Sequence, residues 1–349
     1  MKFLRLAFYV LIAQLVLSGC AGEAVEETSS SSSSEINFDA YLGRNASTRA
    51  GVTDITFLKG KEWNSGFGVF ARYNHNGNIS SLMDTEHVTW EENHWKYTNT
   101  RYWPNEGTVD FYAFAPYNPD VKLVSRNSNE ANPTYIEFSS TAPVDLVWAN
   151  AKGRTKTNEP VKFTFNHALA RLGFDITANQ DLEENGAVIT VNKVILYGAS
   201  ETSGVFVMAG YLNLENGAWT LANNGISWFY TWTPDGKVDG KEYDKDDGNV
   251  LKLSAPPQLD YKNNKITNNF DSYIFIIPQD LPTNFNLKIT YTVTQGNFKE
   301  DVTVTKNLLD VLSGDSKPYF KGGKAYVFHL KLSLDPINFK VTPEVEAWK

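Results

Sequence analysis

Apolar residues recur at every second position along most of the chain, which is the period of a strand with one buried face. The alternating segments are rich in β-branched and aromatic residues, and clusters of Asn, Gly, Asp and Pro separate them. Strands are predicted for the segments that begin at Ile55, Phe67, His87, His94, Val109, Thr134, Val161, Arg171, Val188, Val205, Tyr273, Phe285, Phe298 and Ala325. Many short strands with regular turns predict an all-β protein built from β-sandwiches.

The length of the chain predicts two domains. The chain has 349 residues, and the part that follows residue 35 is longer than one apolar core usually serves. A short link between two strands at residues 165–174 marks the boundary, which gives domains at 36–168 and 169–349. Helical spacing is confined to the segments HALA, after Asn166, and NLLDVL, after Lys306, where a turn or two of helix is predicted.

The N-terminus has the pattern of an export signal. Two basic residues precede an apolar run at 6–17, which is too short to span a bilayer as a helix. The sequence LSGC that follows at 17–20 resembles the lipobox of bacterial lipoproteins, and Cys20 is the only cysteine of the chain. The resemblance implies that residues 1–19 are removed and that Cys20 becomes the lipidated first residue. An ordinary signal peptide in which Cys20 is incidental is the alternative.

A polar, serine-rich stretch follows the cysteine. Residues 20–35 contain too little apolar area to offset the entropy lost on ordering. We therefore expect a flexible tether that lifts a folded body away from the membrane.

Both ends of the body alternate as strands that lie over a hydrophobic groove. In the segment EINFDAYL the residues on one face are Ile36, Phe38, Ala40 and Leu42. In the segment INFKVTPEVEAW the corresponding face carries Ile337, Phe339, Val341 and Val345. Pro343 interrupts the second segment, and because it lacks an N–H it suits an edge strand or an added strand.

A small polar loop, GRNASTRAG, separates the first of these strands from the rest of the body. Loops of this composition are where proteases cut, and Arg49 followed by Ala50 suits a trypsin-like enzyme, with Arg44 in reserve. Cleavage would release the N-terminal strand, and the C-terminal segment of a neighbour could replace it by β-strand addition. Such a contact does not close, so repetition builds a filament. The alternative is that both segments are permanent edge strands of one monomer.

Composition excludes several other functions. The formal net charge is −8 and no block of basic residues occurs, so no nucleic-acid partner is expected. No GxSxG, HExxH or Walker pattern is present, and the 5 histidines lack the spacing of a metal site. We therefore expect no enzyme activity, no cofactor and no metal.

Aromatic residues supply a competing hypothesis. The chain has 9 tryptophans, and in the segment WFYTW strand geometry places Trp228, Tyr230 and Trp232 on one face. These side chains either stack against sugars, as in a glycan-binding surface lipoprotein, or fill a core and cover a sheet edge.

Several segments together resemble the fimbrillin (Mfa-like) family, the pilins of lipoprotein-derived type V pili. They are the LSGC lipobox, the INF strand followed by STRAG at 47–51, YWPNEGTVDFYAFAPY at 102–117, FNHALARLGFDI at 165–176, GKAYVFHLKLSL at 323–334 and a C-terminal strand that ends in Trp348. The resemblance covers nearly the whole body of the chain.

The resemblance implies two tandem transthyretin-like Greek-key β-sandwich domains, export to the outer membrane as a lipoprotein and cleavage after Arg49 by a trypsin-like protease. It also implies donor-strand exchange with other fimbrial subunits, in a stalk, tip or anchor role. We therefore expect a fimbrial subunit or adhesin at the cell surface, with a host protein or glycan as a candidate ligand. The alternative is an uncleaved outer-membrane lipoprotein that acts as a pilus anchor or binds glycans.

We expect mass spectrometry of the membrane fraction to find a thioether-linked glyceride on Cys20. Cys20→Ser should leave the membrane fraction because it has no thiol to lipidate, whereas Ser30→Ala in the tether should stay in it. A Cys20→Ser protein that remained membrane-bound would contradict the lipid anchor.

Overall fold

Short strands joined by tight turns make up most of the regular structure, as the alternation of apolar residues predicts. The structure is a computed structural model, and it describes residues 34–43, 53–126, 132–139, 144–178, 186–201, 203–222, 227–232, 237–238, 241–242, 250–252, 259–260, 265–266, 274–312, 319–333 and 340–347. The prediction of an all-β protein is confirmed.

The elements up to residue 167 are β1 Phe38–Leu42, α1 Ile55–Leu58, β2 Phe67–His75, β3 Asn78–Glu91, β4 His94–Lys96, β5 Thr108–Ala115, β6 Leu123–Val124, β7 Tyr135–Ser139, β8 Val147–Arg154 and β9 Val161–His167.

The later elements are β10 Ala170–Ala178, β11 Val188–Tyr197, β12 Phe206–Val207, β13 Ala209–Asn213, β14 Trp219–Leu221, β15 Ser227–Trp232, β16 Lys237–Val238, β17 Lys241–Glu242, β18 Val250–Lys252, β19 Leu259–Asp260, β20 Lys265–Ile266, β21 Ile274–Ile276, β22 Gln279–Asp280, β23 Asn286–Gln295, β24 Phe298–Asn307, a 3-10 helix at Leu308–Val311, β25 Tyr319–Phe320, β26 Lys324–Leu332 and β27 Lys340–Ala347.

The strands pair in several sheets within the described residues. The largest has the order β1-β9-β8-β5-β2-β3-β4, with β1 at one edge. The later strands form the sheets β21-β10-β26-β27 and β12-β15-β11-β23-β24, with β18 beside β15. A further sheet, β14-β13-β7-β6, joins strands from both sides of the link at residues 168–169.

Buried apolar side chains gather in clusters that follow these sheets. The N-terminal core lies between Ile36 and Phe165 in the sequence, and the C-terminal core uses buried residues from Ala170 to Leu332. A third cluster contains residues from both parts of the chain, among them Phe70 and Phe275. The division into domains at 36–168 and 169–349 stays a prediction.

Turn chemistry explains the strand connections. The β2–β3 hairpin turns at Asn76 and Gly77, which have φ angles of 51° and 84°. Two successive residues with positive φ are typical of the type I′ turn, for which Asn-Gly is the preferred pair.

The prediction of a strand at Ile55 is wrong, because these residues form the short helix α1. The Asp54 carboxylate accepts a hydrogen bond from the Phe57 N–H at 2.8 Å and caps the first turn. A side-chain cap stabilises a helical turn instead of a strand. The alternation that predicted a strand here involves only two apolar residues, which is a weaker signal than the cap.

Of the two segments predicted to form a turn of helix, only the second is helical. The HALA segment is not helical, because β9 continues to His167 and β10 begins at Ala170. The NLLDVL segment does contain a 3-10 helix, where the Asn307 side chain accepts a hydrogen bond from the Leu309 N–H. Among the described residues, no helix has the length and apolar character needed to cross a membrane.

Candidate functional site

The N-terminal strand is held on two sides by backbone hydrogen bonds. The Ile36 N–H donates to the Arg101 carbonyl at 2.8 Å, and the Trp103 N–H donates to the Ser34 carbonyl at 2.9 Å. From Phe38 onward the strand runs parallel to β9 as the edge of the largest sheet. A non-local groove, rather than a neighbouring hairpin strand, therefore holds this segment.

The apolar face of the strand completes the N-terminal core. Ile36, Phe38 and Leu42 are 0%, 4% and 2% exposed, and Ala40 is half-buried against the same core. Tyr41 on the opposite face is 61% exposed. The side chains at alternate positions thus have opposite environments, with three large apolar groups fully inside.

Phe38 lies at the centre of a group of aromatic rings. Its ring centroid is 5.5 Å from that of Tyr97, 5.7 Å from Phe163, 5.9 Å from Phe111 and 6.4 Å from Phe67. The Phe163 ring is stacked on Phe38, whereas Phe67 and Phe111 meet it edge-on, which are the favoured arrangements of aromatic pairs. The floor of the groove is therefore shaped to receive an aromatic side chain.

A buried polar contact fixes the chain on the far side of the GRNASTRAG loop. The Thr53 N–H donates to Asp145 Oδ2 at 2.9 Å, and the Thr53 hydroxyl donates to the Asp145 carbonyl oxygen at 2.6 Å. His167 Nδ1 lies 3.1 Å from Oδ1 and 3.0 Å from Oδ2 of the same carboxyl group. We call Thr53, Asp145 and His167 the Thr53 clamp.

All three residues of the clamp are buried. Asp145 is 0% exposed, and Thr53 and His167 are nearly as inaccessible. Burial raises the pKa of the Asp145 carboxyl, while the hydrogen bonds from His167 and from the Thr53 N–H, and the charge of Arg171, oppose that rise. Loss of the carboxyl group would remove the acceptor of the buried Thr53 N–H, which is costly.

The sequence reasoning did not identify the Thr53 clamp. One signal was available, because His167 lies in the FNHALARLGFDI segment that carries the family resemblance. Its partner Asp145 is 22 residues away, and Asp145 in turn is 92 residues from Thr53. No local pattern connects these positions.

The C-terminal strand β27 pairs antiparallel with β26 at the edge of its sheet. Val341 packs half-buried against the C-terminal core, whereas Val345 is 53% exposed. Glu344 extends to His329 across the strand pair, with 3.0 Å between Oε2 and Nε2. Ile337 and Phe339 lie outside the described residues.

The other predicted site residues are only partly within the described chain. Cys20, Arg44, Arg49 and Ala50 lie outside it. The WFYTW segment forms strand β15, but its side chains are not among those described. No group of three or more His, Cys, Asp or Glu side chains that could hold a metal ion occurs in the part of the chain that the structure describes.

Comparisons with known proteins agree with this architecture. Residues 48–348 match the sequence profile of the Fimbrillin-like family. Fimbrium subunit Fim1C of Phocaeicola vulgatus is 25% identical in an alignment that covers 97% of this chain and 95% of that protein. The crystal structure of a fimbrial protein from Bacteroides vulgatus covers 90% of this chain and 99% of its own, with a TM-score of 0.62 and 20% identity. The likeness to this solved structure shows a shared fold.

Phe38→Ala should lower the free energy of unfolding by about 3–5 kcal/mol, because a fully buried aromatic side chain is lost from the core. Tyr41→Ala, on the exposed face of the same strand, should change it by less than about 0.5 kcal/mol. Urea unfolding of the lipid-free chain measures both, and equal losses would contradict the burial of Phe38.

Asp145→Ala should lower the free energy of unfolding by about 3–5 kcal/mol, because it removes the acceptor of the buried Thr53 N–H and the carboxyl group beside buried His167. Asp120→Ala, at an exposed loop position, is the matched control and should have little effect. If the two variants unfold at the same urea concentration, the clamp does not stabilise the fold.

Proposed function

The chain belongs to the fimbrillin-like family, and we propose that it is a fimbrial subunit or adhesin that matures by loss of its N-terminal strand and assembles by donor-strand exchange. Membership of that family supports a role in a fimbrium at the cell surface. The proposal adds a route by which this particular chain is exported, processed and joined to its partners.

The observation that carries the proposal is the position of β1. β1 is an edge strand whose neighbour in the sheet is β9, yet it supplies Phe38 and Leu42 to the N-terminal core. Ile36 lies just before β1, in the stretch that bonds to residues 101–103, and it is buried in the same core. An edge strand can leave without rearrangement of the strands behind it. Its departure would open a groove rather than unfold a sheet.

The energetics favour replacement of the strand once it has left. Full burial of a large apolar side chain contributes about 1.5–3 kcal/mol, so three of them amount to several kcal/mol of apolar surface that returns to water. An incoming strand with matching apolar positions would recover that burial and the backbone hydrogen bonds. We propose that this regained burial of apolar surface drives assembly.

The anchors on either side of the GRNASTRAG loop suit cleavage after Arg49. Leu42 pairs with Phe165, and Thr53 is clamped through Asp145 to His167, two residues farther along β9. The ten intervening residues can reach about 33 Å when extended, far more than neighbouring positions at one end of a strand require. The chain length between the two anchors therefore exceeds the span that it must cover, which suits cleavage by a trypsin-like protease, with Arg44 as the reserve site.

The Thr53 clamp gives the processed chain a fixed beginning. Cleavage before Ala50 would leave only three residues ahead of Thr53, whose backbone N–H and hydroxyl stay bonded to Asp145. Because the clamp lies entirely on the body side of the cut, the strand can leave while the body stays folded.

The remaining steps rest on the sequence. We propose that Cys20 carries the lipid and that the chain reaches the outer membrane before it is processed. We place the tether at residues 20–33, because Ser34 and Glu35 pair with residues 102–103. Residues 337–345 of one subunit then supply the donor strand to the next. Repetition of this head-to-tail contact builds a fimbrium on the cell surface.

A second candidate is an uncleaved outer-membrane lipoprotein that acts as the pilus anchor or as a glycan-binding protein. The observation that favours it is that Ile36 and the apolar face of β1 already fill the groove in this chain. A subunit that ends a filament at the membrane needs that property.

The N-terminus of the protein recovered from the surface of its native cells separates the two candidates. We expect Ala50 as the first residue, together with a ladder of multimers on an unboiled denaturing gel that collapses on heating. A variant with both Arg44→Ala and Arg49→Ala should keep its lipid and run as a monomer, whereas Arg72→Ala, on strand β2, should still assemble. A lipidated Cys20 and a single monomer band for the unaltered protein would overturn cleavage and favour the anchor.

A further inference from the structure

We propose that the chain binds an acidic sugar residue in the cavity between Trp103 and the β8–β9 connection. Arg154 and Lys162 hold the carboxylate of the sugar, and Glu159 accepts hydrogen bonds from its hydroxyl groups. The inference rests on the adhesin role proposed above, for which it names a site and a class of ligand, but not on strand exchange. The size of the cavity, its charges and one buried donor support it.

The cavity has the size and the lining of a small-molecule site. Its volume is about 390 Å³, within the range of about 300–1,000 Å³ that is usual for ligand pockets. Buried Trp103 and Val161 and partly buried Pro160 form the apolar part of the lining, whereas Arg154 and Lys162 in the polar part are exposed. A sugar ring combines an apolar C–H face with a rim of hydroxyl groups, so a lining of both kinds suits it.

One side chain of the lining carries an unsatisfied hydrogen-bond donor. The Trp103 side chain is 3% exposed, and its ring meets that of Phe111 edge-on at 5.7 Å. Among the described residues, the Trp103 indole N–H has no hydrogen-bond acceptor. A buried donor without a partner is costly, and an oxygen atom of a ligand in the cavity would remove that cost.

The two cations of the lining are not neutralised by carboxylates. Within the residues that the structure describes, Arg154 and Lys162 form no ion pair, whereas Lys96, Lys152 and Lys288 each pair with a glutamate. Both cations are therefore open to a negatively charged group that enters the cavity.

Two acidic side chains on adjoining strands have other partners. Asp39, opposite Lys162 in the sheet, accepts a hydrogen bond from the Ala40 N–H at 2.9 Å. Asp110 accepts one from the Gly153 N–H at 2.6 Å. A ligand carboxylate can thus bond to the cations of the lining, and such charge-assisted hydrogen bonds are among the strongest in proteins.

Glu159 distinguishes an acidic sugar from a simple anion. Of the lining residues that the structure describes, it alone is acidic, so with Arg154 and Lys162 the formal charge is +1. That charge matches one carboxylate better than a phosphate group, which carries about −1.5 to −2 at neutral pH. The Glu159 carboxylate can only accept hydrogen bonds, so it favours a ligand that also has hydroxyl donors. Uronic and sialic acids combine the two groups.

Hydrogen bonds order the rim of the cavity before a ligand arrives. Thr157 Oγ1 accepts from the Glu159 N–H at 3.0 Å. The Lys156 ammonium group donates to Asn105 Oδ1 at 3.1 Å, which ties the β8–β9 connection to the segment that carries Trp103. A rim that is already ordered lowers the entropy cost of binding.

The indole N–H signals of the full-length protein test the site. The chain has 9 tryptophans, and a Trp103→Phe variant identifies the signal of Trp103 in protein labelled at its tryptophan nitrogens. Glucuronate, galacturonate and N-acetylneuraminate are the acidic sugar probes, glucose carries the hydroxyl groups alone, and acetate carries the carboxylate alone. We expect at least one acidic sugar to shift the Trp103 signal, with a Kd about tenfold or more below those of glucose and acetate.

Charge variants test the role of the two cations. Arg154→Gln and Lys162→Gln should each raise the Kd of that acidic sugar about tenfold or more, because each removes a partner of the carboxylate. Lys122→Gln makes the same change of charge at an exposed position outside the cavity, and it should leave the Kd within about twofold. Equal affinities of Arg154→Gln and Lys122→Gln would place the sugar elsewhere.

The probes separate the remaining outcomes. Acetate that binds as tightly as the acidic sugars would overturn the choice of a sugar, and glucose that does so would overturn the role of the carboxylate. An unshifted Trp103 signal with all three acidic sugars would overturn the site. If native protein that begins at Ala50 and forms multimers gives that negative result, fimbrial assembly stands and this ligand site alone is wrong.

Discussion

The structure depends on the burial of one edge strand in a groove that the rest of the N-terminal part cannot fill. The ring of Phe38 meets four other aromatic rings, and Ile36 and Leu42 close the core on either side. Hydrophobic burial acts without regard to chain connectivity, so the groove requires these side-chain shapes in a strand and not a covalent link to that strand. The same contact therefore stabilises the monomer and makes exchange with another chain possible.

The Thr53 clamp would limit the consequences of the proposed exchange. A buried carboxyl group that is bonded both to the Thr53 N–H and to His167 is expensive to separate from its partners. Asp145 lies just before β8 and His167 ends β9, so the contact between them does not depend on β1. Loss of the segment before Thr53 would therefore leave this contact in place.

The two ends of the chain contrast in how tightly the body holds them. β1 contributes fully buried side chains, whereas β27 is an edge strand on which Val345 is exposed to solvent. The proposed exchange would require this contrast, because one segment must fit a groove well and another must be able to leave its own sheet. The sheet β14-β13-β7-β6 and the third cluster join the two parts of the chain.

Local features of this protein could be predicted from the amino-acid sequence, whereas its long-range contacts could not. Period-two spacing marked most strands and the apolar face of β1, because that spacing depends only on neighbouring residues. Where local signals competed, the sequence was ambiguous, as at Asp54, whose side chain caps a helix within a segment that alternates like a strand. The parallel pairing of β1 with β9, the bonds from residues 34–36 to 101–103 and the place of Asp145 between Thr53 and His167 emerged only from the folded chain. These contacts join residues that are distant in the sequence. They are selected by the shape of the closed core and by the need to satisfy every buried polar group, and no short stretch of sequence contains that information.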